Sequence, residues 1–156
     1  MPLSLMKIWT LRSPDFLTRT EIFGSPDNDT GLALRGNELY YAPTTTIYAV
    51  ALGKELVPTA APQIVVANLP ESGSGHRTKP ISFDGAGHLI TQIGAPSNAC
   101  QREPGTRGSP GLTPCTLLDE HGGVFLFDAA RRGQDHAGDA ERYTSGMIVQ
   151  VAQYQS

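Results

Sequence analysis

Histidine is the residue type in this sequence best suited to proton transfer, and His76 has the most suggestive surroundings. It follows the small residues "GSG" and stands four residues before the strand-like run "PISF". A neutral imidazole has a pKa close to neutral pH, so it can take a proton from a substrate hydroxyl. The alternative is a structural or solvated histidine with no chemical role.

The other three histidines show no spacing typical of a metal site. His88 and His136 lie in polar turn or loop contexts, so we expect both to be exposed to solvent, and we expect His121 to border a loop.

Other catalytic and binding patterns fail on their spacing. "RGSPG" has Arg107 where a G-x-S-x-G motif needs glycine, and "SGSGHRTK" lacks the spacing of a phosphate-binding loop. "PDNDTGL" lacks the acidic ligand that closes a calcium loop, so it is a predicted turn.

The bulk composition narrows the classes of protein further. The chain has 156 residues, enough for one domain with a modest core, and a net charge of −3 from 12 basic and 15 acidic residues. This balance gives no electrostatic argument for binding nucleic acid or an anionic membrane surface. Charged residues make up only 17%, whereas Gly (17) and Pro (12) are abundant, which favours short strands joined by turns over a helical bundle.

The apolar runs predict neither a leader nor a membrane helix. "MPLSLMKIW" is short and is broken by Lys7, unlike a signal peptide. A membrane helix needs roughly 18 consecutive apolar residues, and the sequence holds no such run. The sequence therefore predicts a soluble chain with no export signal of its own.

Short apolar runs separated by Gly, Pro and Asn predict two units of four strands each, at about 30–69 and 80–146, within one partial domain over 1–156. In both units a strand, a charged residue, a glycine turn, a strand and Ala-Pro follow in order, which is a loose internal repeat. The runs are "GLALRG", "ELYYA", "IYAVAL", "QIVVANL", "PISFDG", "HLITQIGAP", "GGVFLFD" and "ERYTSG".

Four antiparallel strands in each repeated unit are typical of β-propeller blades. We therefore predict an all-β fold, a β-propeller segment of about two four-stranded blades, although the same periodicity permits a generic meander or sandwich. "MKIWTL" and "RTEIFG" predict two strands before the first unit, and "MIVQVAQY" has the alternation of a strand that would begin a third.

The remaining polar segment is a predicted loop, and two blades alone are predicted to have exposed strand edges and apolar faces. The polar, glycine-broken segment "DAARRGQDHAGDAER" is a predicted loop, not a helix. Because two blades alone would leave strand edges and apolar faces uncovered, we expect the remaining blades of a larger propeller, or a homo-oligomer, to cover them.

Two cysteines, Cys100 and Cys115, bracket the Gly- and Pro-rich stretch "QREPGTRGSPGLTP". Their position at the ends of one loop favours a disulfide that closes it. The alternative is two free thiols in a reducing compartment. The spacing is not C-x-x-C and there is no second pair, so a structural zinc site is not predicted.

The ordered motifs from His76 onward resemble the sorbosone and glucose dehydrogenase family. They are a histidine before "KPISFD", then "GHL" and "IGAPSNAC", followed by "GGVFLFD" and "RYTSGM". The resemblance covers roughly 30–147. It implies a six-bladed β-propeller, oxidation of a sugar hydroxyl or aldehyde that depends on pyrroloquinoline quinone, and a periplasmic or secreted location.

The same resemblance implies roles for individual residues. His76 is the general base that removes the proton from a sugar's anomeric hydroxyl while hydride passes to the quinone. Asn98 matches a position that contacts the quinone, with Gln101 close behind it, and Lys79 is inferred to face the quinone's carboxylates. The family also implies Ca²⁺ held largely by main-chain carbonyls, and an electron-acceptor protein or dye as partner.

The chain departs from the family pattern at two points. Ala95 stands where the soluble glucose-oxidising members carry an acidic residue, and Ile148–Val149 stand where the family has an Arg-Asn pair that holds the quinone. These departures favour a second hypothesis, a non-catalytic propeller remnant or binding module. A third hypothesis, an unrelated β-sandwich interaction domain, rests only on the strand pattern.

Overall fold

The computed structural model describes residues 6–12, 18–25, 31–54, 56–71, 77–96 and 100–143, the first two ranges as strand backbone. In chain order its elements are β1 (Met6–Arg12), β2 (Thr18–Ser25), β3 (Gly31–Arg35), β4 (Glu38–Ala42), β5 (Ile47–Ala51), β6 (Gln63–Ala67), β7 (Ile81–Phe83), β8 (His88–Ile93), a 3-10 turn (Thr116–Leu118), β9 (Gly123–Asp128), β10 (Gln134–Asp135), α1 (His136–Asp139) and β11 (Glu141–Arg142).

The first two strands form a two-stranded antiparallel sheet of their own. Its register shifts between Ile8 and Trp9, which is a local bulge. Both strands agree with the runs expected before the first unit. The strand expected at "MIVQVAQY" lies outside the described residues.

The first large sheet is an antiparallel meander of β3, β4, β5 and β6. The β3–β4 turn is tight because Gly36 adopts a φ of +60°, in the left-handed region that glycine enters without strain. Strands β4 and β5 are short apolar runs and are mostly buried, as expected of the middle strands of a covered sheet.

The second sheet repeats this meander with β7, β8, β9 and β11. Its first turn is held by the side chain of Asp84, whose Oδ1 accepts hydrogen bonds from the backbone N–H groups of Ala86 (2.9 Å) and His88 (2.8 Å). Gly87 supplies the positive φ, +99°, that the turn requires. The glycine turn predicted between these two strands is therefore a hairpin turn, with its positive φ at Gly87.

The segment between β9 and β11 is a correction to the predicted loop, since it contains β10 and the one-turn helix α1. Strand β10 pairs in parallel with β6 and makes the first sheet five-stranded. The buried Gln134 amide bonds the backbone N–H and carbonyl of Asp128, both at 2.9 Å. Asp135 Oδ1 caps α1 by accepting from Ala137 N at 2.9 Å. Polar side chains form the hydrogen bonds that hold this segment. Its sequence therefore has no apolar periodicity from which the strand and the helix could be predicted.

The two large sheets pack face to face around one apolar core. Tyr40 is fully buried at its centre, and its ring meets Phe83 edge-on with centroids 4.8 Å apart. Each large apolar side chain buried here contributes about 1.5–3 kcal/mol. The core residues are Tyr40, Ala42, Ile47, Ala49, Val65, Val66 and Leu69 from the first sheet and Leu89, Ile93, Phe125, Phe127 and Ala129 from the second.

Hydrogen bonds between polar side chains join the two sheets at the edge of this core. The Tyr40 hydroxyl donates to Glu38 Oε2 at 3.0 Å, and Arg132 Nη2, from the segment after β9, donates to Glu38 Oε1 at 2.5 Å. Burial by itself raises the pKa of Glu38, but the hydrogen bonds from Arg132 and Tyr40 outweigh it and lower that pKa. The carboxylate therefore stays charged and ties the two sheets together.

Apart from β10, each sheet is built from one contiguous stretch of chain, 31–67 for the first and 81–142 for the second. An immunoglobulin-type sandwich instead exchanges strands between its two sheets through Greek-key connections. The strand map therefore argues against the β-sandwich hypothesis and matches two blade-like meanders.

His136 is a second correction, because it is buried and not solvated. Its exposed fraction is 6%, and its ring lies edge-on to Phe125 with centroids 5.0 Å apart. Its Nε2 finds no hydrogen-bond partner among the described residues. Burial lowers the pKa of His136; Glu120 and Asp135 act to raise that pKa, and His121 and Arg142 act to lower it.

We expect His136 to make the fold less stable in mild acid. Below a pH of about 6.5 the unfolded chain binds a proton at this imidazole while the native state does not, so the free energy of unfolding falls. In His136→Leu that loss is absent, so the stability of the variant relative to the parent should rise between pH 7.5 and 5.5. Urea unfolding of both proteins at the two pH values measures this difference.

His88 provides the opposite control for this experiment. Its hydrogen bond to Asp84 raises the pKa of His88, so its contribution to stability is present in acid and is lost as pH rises. His88→Ala should therefore become less stable relative to the parent as pH falls. A pH-independent difference for His136→Leu would show that His136 does not titrate as argued.

Candidate functional site

The candidate site lies at one end of the two sheets, which we call the connection end. Neighbouring antiparallel strands alternate in direction, so the connections after β4, β6 and β8 emerge there, and the β3–β4 and β7–β8 turns lie at the opposite turn end. Two hydrogen bonds join these connections: Leu69 N donates to Thr45 O at 2.9 Å, and His121 Nε2 meets Glu71 O at 3.2 Å.

His76 and Asn98 lie outside the described residues, so the structure gives no side-chain geometry for either. The segments that carry them are the β6–β7 and β8–β9 connections, and both belong to the connection end. The described residues on either side of His76 are Glu71 and Arg77, and those beside Asn98 are Pro96 and Cys100. The described residues that flank the two predicted site segments thus lie at one end.

Lys79 is fully buried just before β7. Its ammonium donates to the carbonyl of Arg77 at 3.0 Å, because a buried charge must be hydrogen-bonded. On the other side its own carbonyl packs against Gly31 at the start of β3, where an added Cβ would overlap the carbonyl oxygen. Lys79 therefore fixes the end of the β6–β7 connection against the first sheet.

Gln101 lies inside the loop closed by Cys100 and Cys115, which form a disulfide with Cα atoms 6.0 Å apart. This confirms the predicted disulfide over free thiols. The Gln101 amide nitrogen donates to the carbonyls of Thr106 (3.2 Å) and Ser109 (3.4 Å). The loop is therefore braced from within by Gln101 and not simply tethered at its ends.

Arg142 is a structural residue of this end that the sequence did not single out. Its Nη2 donates to the carbonyls of His121 (3.0 Å) and Asp119 (3.2 Å), and its guanidinium lies 4.8 Å from the centroid of the Phe125 ring. Gly123 makes room for it, since an added Cβ would come within 2.8 Å of Nη1. The glycine pair Gly122–Gly123, at the start of β9, was the sequence signal available for this close approach.

The turn end has polar groups of its own. Asp84 and His88 form a close pair there, with Oδ2 and Nδ1 2.7 Å apart. This hydrogen bond raises the pKa of His88, and hydrogen bonds from His88 lower the pKa of Asp84. A cavity of about 410 Å³ also lies towards this end, with Arg35, His88, Asp128, Arg131 and Glu141 among its lining residues. Its lining residues do not include Glu71, Arg77, Pro96 or Cys100, which flank the predicted site segments.

Metal-binding and membrane-spanning features are absent from the described part of the chain. Among those residues, no three His, Cys, Asp or Glu side chains are grouped to hold a metal ion. Over the same residues, no helix has the length and apolar character to cross a membrane.

Comparison with known proteins identifies the architecture. The holo form of the pyrroloquinoline quinone (PQQ) domain of pyranose dehydrogenase from Coprinopsis cinerea superposes with a TM-score of 0.61 at 8% identity. The match covers 80% of this chain and 29% of that chain. The iodide structure of a Trichoderma reesei carbohydrate-active enzyme of family AA12 gives 0.59 at 16% identity over 80% of this chain and 30% of that one. The calcium structure with the same family description gives 0.59 at 14% identity, over 79% and 30%.

These similarities show the fold. The predicted all-β propeller segment is confirmed, and its architecture is like that of the pyranose dehydrogenase PQQ domain. The chain spans about 30% of the length of these proteins. No protein-family model and no curated protein matches the sequence.

Gly31→Ala should lower the free energy of unfolding by about 1–3 kcal/mol, because the new methyl group overlaps the rigid carbonyl of Lys79. Gly85→Ala is the matched control, since an added Cβ there meets nothing within 4 Å. Urea unfolding of both variants tests the prediction. Equal stabilities would mean that Gly31 is not needed for this contact.

Removing the disulfide with the double substitution Cys100→Ala and Cys115→Ala should lower the free energy of unfolding by about 3 kcal/mol, since the unfolded chain regains the freedom of this loop. Guanidinium unfolding measures the loss. Dithiothreitol should reduce the stability of the parent protein and leave that of the double variant unchanged. Insensitivity of the parent would contradict a stabilising role.

Proposed function

We propose that this chain contributes to the site of a sugar dehydrogenase-like protein, which oxidises a sugar hydroxyl or aldehyde by hydride transfer to pyrroloquinoline quinone. What supports the proposal is that the fold resembles PQQ-domain structures and that the described residues flanking His76 and Asn98, namely Glu71, Arg77, Pro96 and Cys100, belong to the same end. A base and a polar cofactor contact on two neighbouring segments are what such a reaction needs.

In this proposal His76 is the general base. Its neutral imidazole takes the proton of the sugar's anomeric hydroxyl as the bond from the sugar carbon to its hydrogen breaks. When bound, the quinone supplies the two-electron acceptor for that hydride. The connection carrying His76 is held at both ends, by His121 at Glu71 and by Lys79 at Arg77, which supports its use as a fixed platform.

The residues proposed near the cofactor are Lys79, Asn98 and Gln101. The quinone carries carboxylates, and a cationic end to the β6–β7 connection, with Arg77 beside Lys79, has the complementary charge. Gln101 uses its amide nitrogen within the disulfide loop, so we propose that it shapes the wall of the site. Ca²⁺ favours oxygen ligands, including backbone carbonyls, and its proposed place beside the quinone requires no acidic cluster.

The second candidate is a non-catalytic propeller module that binds a ligand or a partner. Its supporting observation is that both described residues proposed for the cofactor, Lys79 and Gln101, already bond main-chain carbonyls of their own segments. In either case the disulfide fits an oxidising compartment, so we propose a periplasmic or secreted location.

Quinone binding and turnover separate the two candidates. For the dehydrogenase, the full chain mixed with quinone and Ca²⁺ should retain quinone in equilibrium dialysis and should reduce a redox dye when aldoses are added. His76→Ala should lower kcat by about 10²–10⁴-fold, the usual contribution of a general base, while leaving quinone binding within a few-fold.

His88→Ala is the matched control, because His88 lies at the turn end with Asp84. It should leave both quinone retention and dye reduction unchanged. Quinone retention without any dye reduction would favour the binding module. Full activity of His76→Ala would contradict the assignment of His76 as the base.

A further inference from the structure

The cavity of about 410 Å³ at the turn end has no role in the proposed function. Every residue that lines it belongs to the described part of the chain. Cavities that hold small molecules in proteins have volumes of about 300–1,000 Å³. This cavity lies at the lower end of that range, so it has room for one small ligand.

Two carboxylates reach the cavity from one face of the second sheet. Glu141 of β11 is the cross-strand partner of Leu126, and Asp128 follows Leu126 by two residues on β9. Side chains in both relations share a face of a sheet, so Asp128 and Glu141 are diagonal neighbours. Leu126, which is 9% exposed, gives the cavity an apolar surface between them.

Asp128 is held firmly and still has an oxygen for a ligand. The amide of Gln134 bonds the backbone N–H and carbonyl of Asp128, both at 2.9 Å. Oδ1 of Asp128 accepts from the backbone N–H of Ala130 at 2.8 Å. Within the described part of the chain, Oδ2 of Asp128 and the carboxylate of Glu141 accept no hydrogen bond. These oxygens can accept from the hydroxyl groups of a ligand.

Arg131 brings hydrogen-bond donors to the same cavity. Its Nη2 donates to Oδ1 of Asp139, whose Oδ2 accepts from the backbone N–H of Asp135 at 2.7 Å. The guanidinium is therefore oriented by a carboxylate that is itself fixed. A guanidinium carries several N–H groups, and the described contacts of this one use a single N–H, so others can donate to a ligand.

The charges of the lining indicate the class of ligand. An anion would meet Asp128 and Glu141, and a cation would meet Arg35 and Arg131, so a ligand of either sign would face like charge. A neutral ligand with several hydroxyl groups can instead donate to the carboxylates and accept from the guanidinium groups. Sugars have neighbouring hydroxyls of this kind, and their C–H groups can pack on Leu126.

We propose that the turn-end cavity is a second binding site of this protein, for a neutral sugar whose neighbouring hydroxyls bond the carboxylates of Asp128 and Glu141 and the guanidinium of Arg131. The site consists of described residues and needs neither quinone nor Ca²⁺. It therefore does not rest on the proposed function.

Isothermal titration calorimetry of the full chain with methyl glycosides, without quinone, tests the site. A methyl glycoside has no free anomeric hydroxyl to be oxidised, so its binding is independent of the proposed reaction. At least one of the methyl glycosides of glucose, galactose and mannose should bind. The amino and phosphorylated analogues of the sugar that binds should do so about ten-fold more weakly, because each brings a charge.

A longer saccharide distinguishes the two sources of such a sugar. Tighter binding of the matching methyl disaccharide would assign the cavity to the end of a saccharide chain, and equal binding would assign it to a free monosaccharide. Either result supports the site. Failure of all three methyl glycosides to bind, or equal binding of a charged analogue, would overturn the proposal.

Substitutions in the lining test the location of the bound sugar. Ala130 is exposed and lines the cavity, so Ala130→Phe should occlude it and raise the dissociation constant at least about ten-fold. Asp128→Asn keeps the size of the side chain and an oxygen for the Ala130 N–H. It should raise the dissociation constant about ten-fold, because hydrogen bonds to a charged acceptor are stronger.

Ala60→Phe is the matched control, since Ala60 is exposed and is not part of the lining. It should leave the dissociation constant within about two-fold of the parent. Urea unfolding of the three variants shows whether each is folded when it is titrated. Unchanged affinity in Ala130→Phe or in Asp128→Asn, or an equal loss in Ala60→Phe, would show that the sugar does not bind as proposed.

Discussion

The face-to-face burial of two apolar sheet surfaces around Tyr40 is the constraint on which the rest of this structure depends. Neither sheet could cover its own apolar face, and each supplies the other with the cover it lacks. The polar features of the interface follow from that packing. Glu38 can bond both Tyr40 and Arg132 because the sheets are in contact, and the amide of Gln134 can satisfy the backbone of Asp128 because β10 has crossed to the first sheet.

The same packing determines what meets at the connection end. Once the sheets are aligned, the described parts of two long connections lie at one end. Three kinds of interaction fix them: a buried ammonium at Lys79, a disulfide with an internal glutamine brace, and an imidazole bonded to the Glu71 carbonyl. The interactions differ greatly in burial and strength. The β6–β7 connection is thus held at Leu69, Glu71 and Lys79, and the β8–β9 connection by the disulfide and by Arg142.

The three described histidines differ in exposure and hydrogen bonding because their environments differ. His88 is paired with Asp84 in an exposed turn, His121 donates to a backbone carbonyl between two connections, and His136 is buried against Phe125 with a lowered pKa. The structural comparisons also separate the fold from the chemistry of individual side chains. Structures 8–16% identical to this chain share its fold, because the alternation of apolar residues and turns is enough to specify the sheets, whereas the chemistry of a site depends on individual side chains.

The sequence by itself determined the strands, their turns and the disulfide-closed loop, because those features depend on near neighbours: apolar runs, glycines such as Gly36 and Gly87 that permit positive φ, and two cysteines around one loop. It predicted neither β10 and α1 nor the burial of His136. The partners there are distant along the chain, as when Gln134 reaches the carbonyl of Val65. Only the tertiary structure decided these features. A polar side chain is buried where distant backbone groups form its hydrogen bonds, and the neighbouring sequence does not indicate which groups those are.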